Sequence, residues 1–191
     1  MARSVFVLLL LALSGAAAAQ GKSRGFDYSF IAVSYSNADY DSQNADGDGL
    51  GISASFAIAE NFHIFGGYAG TDVGASLDAS GWRAGGGINM PISKLMDVVV
   101  QGFYQTTKVG LPGGGSVDDD GLGLRAGVRV GANEWIELFG GLTYSDYDSG
   151  NETMFDAGFL LNLSSAFAVG VSGAWDDDVS IWSLDGRLYF N

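Results

Sequence analysis

The chain of 191 residues contains no cysteine, a single histidine (His63) and only three lysines, Lys22, Lys94 and Lys108. Without cysteine there is no disulfide scaffold, no thiol chemistry and no lipid-anchored lipoprotein. One histidine cannot supply a multi-histidine metal centre, and a catalytic triad needs a nucleophile with an oriented base. The shortage of lysine excludes more. A soluble β protein keeps its outer faces wet with many interspersed Lys and Glu. Here 9 basic residues stand against 22 acidic ones, a formal charge of −13, and the acids gather in particular segments. So acidic a chain repels nucleic acid and anionic membrane surfaces.

Long hydrophobic runs are missing too. Val5 to Leu13 is apolar, but it is shorter than the ~20 residues a membrane helix needs. Preceded by Arg3 and followed by Ala17-Ala18-Ala19, it reads as a signal peptide over residues 1–19, cleaved before Gln20. The expected domain is then residues 20–191. Loss of Arg3 leaves 8 basic against 22 acidic residues, a charge of −14.

What is present is alternation with a period of two. Leu50, Ile52, Ala54, Phe56 and Ile58 alternate with Gly51, Ser53, Ser55 and Ala57. Phe62, Ile64, Gly66 and Tyr68 alternate with His63, Phe65, Gly67 and Ala69. Trp82, Ala84, Gly86, Ile88 and Met90 stand against Arg83, Gly85, Gly87 and Asn89. The pattern recurs from Leu122 to Val130, Ile136 to Leu142, Phe155 to Leu163, Phe167 to Trp175 and Trp182 to Phe190. Further strands around Tyr28–Tyr35 and Asp97–Thr107, whose phase is ambiguous because both faces carry apolar residues, bring the count to ten. Eight is the alternative.

One face of each strand is large and apolar, whereas the other is mostly Gly, Ala and Ser with an occasional charge. A water-exposed face would not be built from Gly, Ala and Ser. In a transmembrane barrel the apolar face meets lipid and the small face fills a crowded interior. The predicted fold is therefore all-β, a closed antiparallel up-and-down transmembrane barrel in the outer membrane of a Gram-negative cell. Closure is required, because an open sheet edge in lipid would leave backbone groups unpaired. Tight turns at Ala59–Asn61, Pro91–Lys94, Gly131–Glu134 and Ser164-Ser165 alternate with longer acidic segments. Those segments, expected as outer loops, are Asn37–Asp48, Thr71–Ala79, Lys108–Asp120, Ser145–Glu152 and Asp176–Ser180. Aromatics near run ends (Phe62, Trp82, Tyr144, Trp175, Trp182, Phe190) suggest interfacial girdles.

The runs Glu60-Asn61-Phe62-His63-Ile64-Phe65-Gly66-Gly67-Tyr68 and Trp82-Arg83-Ala84-Gly85-Gly86-Gly87 resemble a group of small proteobacterial outer-membrane proteins. Some of that group are linked to cell-to-cell signalling and to vesicle or biofilm phenotypes. More distantly the chain is similar to OmpA/OmpX-type barrels. Its C-terminus, with Trp182, Leu184, Leu188 and Phe190 alternating, resembles the signal read by the barrel assembly machinery, but ends in Asn191 instead of an aromatic. The resemblance brings no catalytic residues, and the chain is expected to be no enzyme and to need no cofactor.

Two constellations are candidates for function. Arg83, Arg125, Arg129, Glu137, Asp156, Asp185 and Arg187 fall on the inward face, where mixed signs imply pairing across the lumen or the lining of a water-filled pore. Acids including Asp46, Asp48, Asp118, Asp119 and Asp120 fall in the expected loops, as solvated turn residues or as hard ligands for divalent cations bridging to lipopolysaccharide. Asn44 to Gly49 begins like a calcium loop, but Ser55 replaces the closing Glu. The Gly113–Gly115 run lacks the Lys-Ser/Thr ending of a phosphate cradle. Two functions follow as alternatives: a non-enzymatic envelope, vesicle or surface-interaction protein, or a narrow porin-like channel. Expected partners are outer-membrane lipid and lipopolysaccharide, and the barrel assembly machinery during biogenesis.

Overall fold

A computed structural model describes residues 26–40, 45–73, 77–111 and 115–190. Residues 1–19, expected as a signal peptide, Lys22 and most of the Gly113–Gly115 run lie outside them. Ten strands follow in chain order: β1 (Phe30–Tyr40), β2 (Ala45–Ala59), β3 (Phe62–Val73), β4 (Leu77–Ser93), β5 (Met96–Gly110), β6 (Ser116–Gly131), β7 (Ile136–Tyr147), β8 (Gly150–Asn162), β9 (Phe167–Trp175) and β10 (Val179–Tyr189). Each pairs antiparallel with its neighbours, and β1 pairs with β10 from Phe30↔Tyr189 to Tyr40↔Val179, closing the barrel. The count is ten, not eight.

The exterior is what membrane insertion demands. Leu50, Leu122 and Phe155 are 70%, 67% and 63% exposed, in positions that only lipid can cover. The phases read from the alternation hold on β2–β4 and β6–β10. On β5, Asp97, Val99, Gln101, Phe103 and Gln105 point inward, while Val98, Val100 and Tyr104 point outward. Tyr68, Trp82, Tyr104, Tyr144 and Trp182 form an outward aromatic set in the loop-ward halves of five strands, with the Trp82 and Tyr104 rings 5.5 Å apart. Phe62, Phe167 and the Phe56–Phe190 pair, at 5.4 Å, mark the turn end.

Three expectations need correction. The acidic segments are mostly strand: β2 and β6 run to 15 and 16 residues and carry Asp46, Asp48, Asp118, Asp119 and Asp120. A tilted strand crosses lipid in about 9–11 residues, so the surplus stands above the membrane, where an outward carboxylate remains hydrated. The turn expected at Pro91–Lys94 lies instead at Lys94 and Leu95, because β4 continues to Ser93 through a register shift after Pro91. The first strand starts at Phe30, not Tyr28, and the residues before it do something else.

Candidate functional site: the lumen

Phe26, Asp27, Tyr28 and Ser29 precede β1 and occupy the turn end of the lumen. Arg129 on β6 holds them there. Its guanidinium lies 4.8 Å from the centroids of both the Phe26 and Tyr28 rings, and Nη1 donates to the Asp27 carbonyl at 3.3 Å. The same guanidinium grips Glu137 in bidentate fashion, Nη2 meeting Oε2 at 2.6 Å. Glu137 is not opposite Arg129 on the β6–β7 hairpin. Arg129 faces Phe139, and Glu137 faces Gly131, so the pair is diagonal. The Tyr28 hydroxyl donates to Asp97 at 2.8 Å, and its ring stacks on His63 with centroids 5.4 Å apart. His63 points inward near the turn end, as expected, with Nε2 at 3.1 Å from the Gln101 amide. Phe30, Phe139, Leu160 and Tyr189 complete an apolar packing layer around this segment.

In the middle of the lumen Arg125 meets Asp156, with Nε–Oδ1 at 2.9 Å and Nη2–Oδ2 at 2.5 Å. These residues sit on β6 and β8, so the guanidinium must cross β7. It passes over Gly141, where a Cβ would lie 2.7 Å from Nη2. Both partners are almost fully buried. Taking one away would leave the other charge unpaired in a poorly hydrated interior. Arg187 lies over Phe30, 4.4 Å from the ring centroid, and Asp185 accepts a hydrogen bond from Ser172 at 3.1 Å. Arg83 lies over Phe103 at 5.2 Å, and among the described residues no carboxylate forms an ion pair with it.

All seven residues of the expected inward network thus face the lumen, and four of them form two ion pairs. The sequence reading missed Phe26, Tyr28, Asp97 and Phe103. Asp97, Gln101 and Gln105 recur at even spacing on β5, a polar stripe that carried the phase signal behind the surrounding valines.

The acids of the loop end are divided. Asp46, Asp48, Asp118 and Asp120 face outward and Asp119 faces inward. Asp48 accepts from the Tyr35 hydroxyl at 2.6 Å and from Asn37 at 3.2 Å. Asp120 accepts from Thr106 at 2.7 Å, Asp118 pairs with Lys108 at 3.4 Å, and Asp119 accepts from Ser149. Among the described residues no three His, Cys, Asp or Glu side chains converge as a metal cluster.

No family model matches the chain, and no curated protein matches it in sequence. Solved structures do match in shape. An outer-membrane channel from Pseudomonas putida F1 aligns over 85% of this chain and 95% of its own, with 9% identity and a TM-score of 0.54. The KdgM porin aligns over 85% and 99%, with 9% identity and a TM-score of 0.49. Neisserial surface protein A aligns over 84% and 95%, with 15% identity and a TM-score of 0.47. The likeness is one of fold, that of outer-membrane β-barrel proteins.

Proposed function

We propose that this chain is a non-enzymatic barrel of the bacterial outer membrane whose lumen is closed, and which supports envelope structure, vesicles or surface interaction. The observation that carries the reading is the Arg129 clamp. One guanidinium binds Glu137 and holds the Phe26 and Tyr28 rings within the turn-end mouth. A solute entering from the loop end would meet first the buried cluster of Tyr40, Met154, Val179 and Ile181, then the Arg125–Asp156 pair and then this aromatic layer. A ten-stranded barrel is narrow compared with the 16-stranded class that leaves a wide aqueous channel. His63, packed between Tyr28 and Gln101, serves that layer and does no chemistry. The outward carboxylates at the loop end face the lipopolysaccharide headgroups, with divalent cations as the bridging charge.

Planar-bilayer recording on the purified full chain tests the closed lumen. The wild type should pass little or no current, and the Phe26→Ala, Tyr28→Ala double variant should show larger, steady openings. A large steady conductance in wild type, unchanged in the variant, would establish the porin-like alternative instead.

A further inference from the structure

We propose that the turn end of the barrel carries a binding site for one ring of a neutral saccharide, in the cavity between the β6–β7 and β8–β9 connections. That cavity measures about 390 Å³, in the lower part of the range for small-molecule sites. Trp135, from the first connection, and Asn162, where β8 ends, border it. Trp135 keeps the inward phase of Glu137 and Phe139, and Asn162 keeps that of Asp156 and Leu160. Both therefore belong to the mouth of the barrel, which sets Trp135 apart from the outward aromatics. The walls are fixed before any ligand arrives. The Asn162 backbone N–H donates to the Trp135 carbonyl at 2.7 Å, joining the two connections. Asn133 Oδ1 accepts from the Trp135 and Ile136 amides at 2.8 and 2.9 Å. Glu137 and Tyr189, both buried, are the inner side, so the site opens at the turn end, outward from the Arg129 clamp. It is the same site whether or not the barrel conducts.

The chemistry of the lining selects the ligand. None of the described residues that border the cavity is Lys, Arg or His, whereas Asp27, Glu134 and Glu137 are acids. An anionic ligand would be repelled. Among the described residues no three acids converge on a metal-sized point. Ser164 Oγ accepts from the Ala166 and Phe167 amides at 3.2 and 3.1 Å, and the Tyr189 hydroxyl accepts from Arg187 at 3.4 Å. Both O–H groups are thereby left to donate. The Asn162 side chain offers a donor and an acceptor, and the exposed Glu134 carboxylate accepts. An ammonium has donors and no acceptor, so it would match the acids and leave the amide and hydroxyl donors idle. Sugar hydroxyls both give and accept, and the apolar face of the ring packs on an indole. Trp135, 58% exposed, supplies that platform.

The test is saturation-transfer difference NMR on the full chain refolded in an amine-oxide detergent, which has no sugar headgroup to compete. The probes are N,N′-diacetylchitobiose, standing for a cell-wall glycan, and maltose, standing for a free oligosaccharide. At least one should receive saturation in a saturable manner, and the tighter of the two assigns the source. Trp135→Ala should weaken that binding about tenfold, the worth of one aromatic contact. Should this variant fail to fold, Asn162→Ala, which keeps the backbone link to Trp135, takes its place, with a severalfold loss expected. Trp182→Phe, in the loop-ward aromatic set, should change nothing. Binding of putrescine but of neither disaccharide would make the acids the recognised feature and overturn the proposal. No saturable transfer at all, equal transfer in the Trp135 or Asn162 variant, or loss on changing Trp182 would overturn it as well.

Discussion

The Arg125 guanidinium reaches the Asp156 carboxylate across an intervening strand, and it does so over Gly141, which has no side chain to block it. Two charged residues two strands apart are thus joined by the absence of a third group. A Cβ at Gly141 would also lie 2.8 Å from the Ala126 carbonyl oxygen, which is backbone and cannot swing away. Gly141→Ala should therefore destabilise the barrel by about 1–3 kcal/mol, as overpacking does. Urea unfolding in detergent micelles, followed by tryptophan fluorescence, measures it. An unchanged midpoint would mean that the guanidinium takes another path.

The same pair should behave asymmetrically under deletion. Arg125→Ala leaves Asp156 buried and unpaired, a loss of about 3–5 kcal/mol, whereas the Arg125→Ala, Asp156→Ala double variant should recover part of it. Additive losses in a double-mutant cycle would show that the contact is not coupled.

Much of this was legible in the sequence, and what was not has a physical reason. Strict alternation fixed the phase of β2–β4 and β6–β10, because one face must be apolar for lipid. It failed on β5, where Val98 and Val100 face lipid while Val99 and Phe103 face the packed interior, so both faces look alike. The Arg129–Glu137 contact was foreseeable from the short hairpin that joins its strands. Arg125–Asp156 was not, since a contact that skips a strand depends on register and on a bare glycine between. The Phe26–Ser29 insert precedes the first strand and has no ladder partner to declare its place. The loop-end acids read as loops because carboxylates are excluded from lipid, yet β2 and β6 outrun the bilayer and carry them on hydrated strand ends.

Val128 faces outward from β6 and is bordered on the ladder by Val98 and Gly140. Val128→Arg places a charge in lipid and should cost about 2–4 kcal/mol near the mid-plane. Asp177→Asn, on the exposed connection between β9 and β10, should be neutral within about 0.5 kcal/mol. Equal midpoints for Val128→Arg and wild type would mean that this face does not meet acyl chains.

The outward tryptophans report the position of the bilayer. Trp82 and Trp182 belong to the loop-ward aromatic set and are 44% and 55% exposed. In single-tryptophan variants reconstituted into brominated lipid, both should be quenched more by bromines near the glycerol than by bromines at the chain end. Deep quenching of either would move the interface above it.

The β1–β10 seam has a kinetic consequence. Its eleven paired positions, Phe30↔Tyr189 through Tyr40↔Val179, join the two ends of the described chain, so the last contacts to form are those of greatest sequence separation. Until they form, two strands carry open edges that lipid cannot satisfy. Such non-local pairing is slow. Insertion and ring closure are therefore expected to be a single concerted event: a half-zipped sheet has no stable place in the bilayer, and the chain must be held by something else until its final strand arrives.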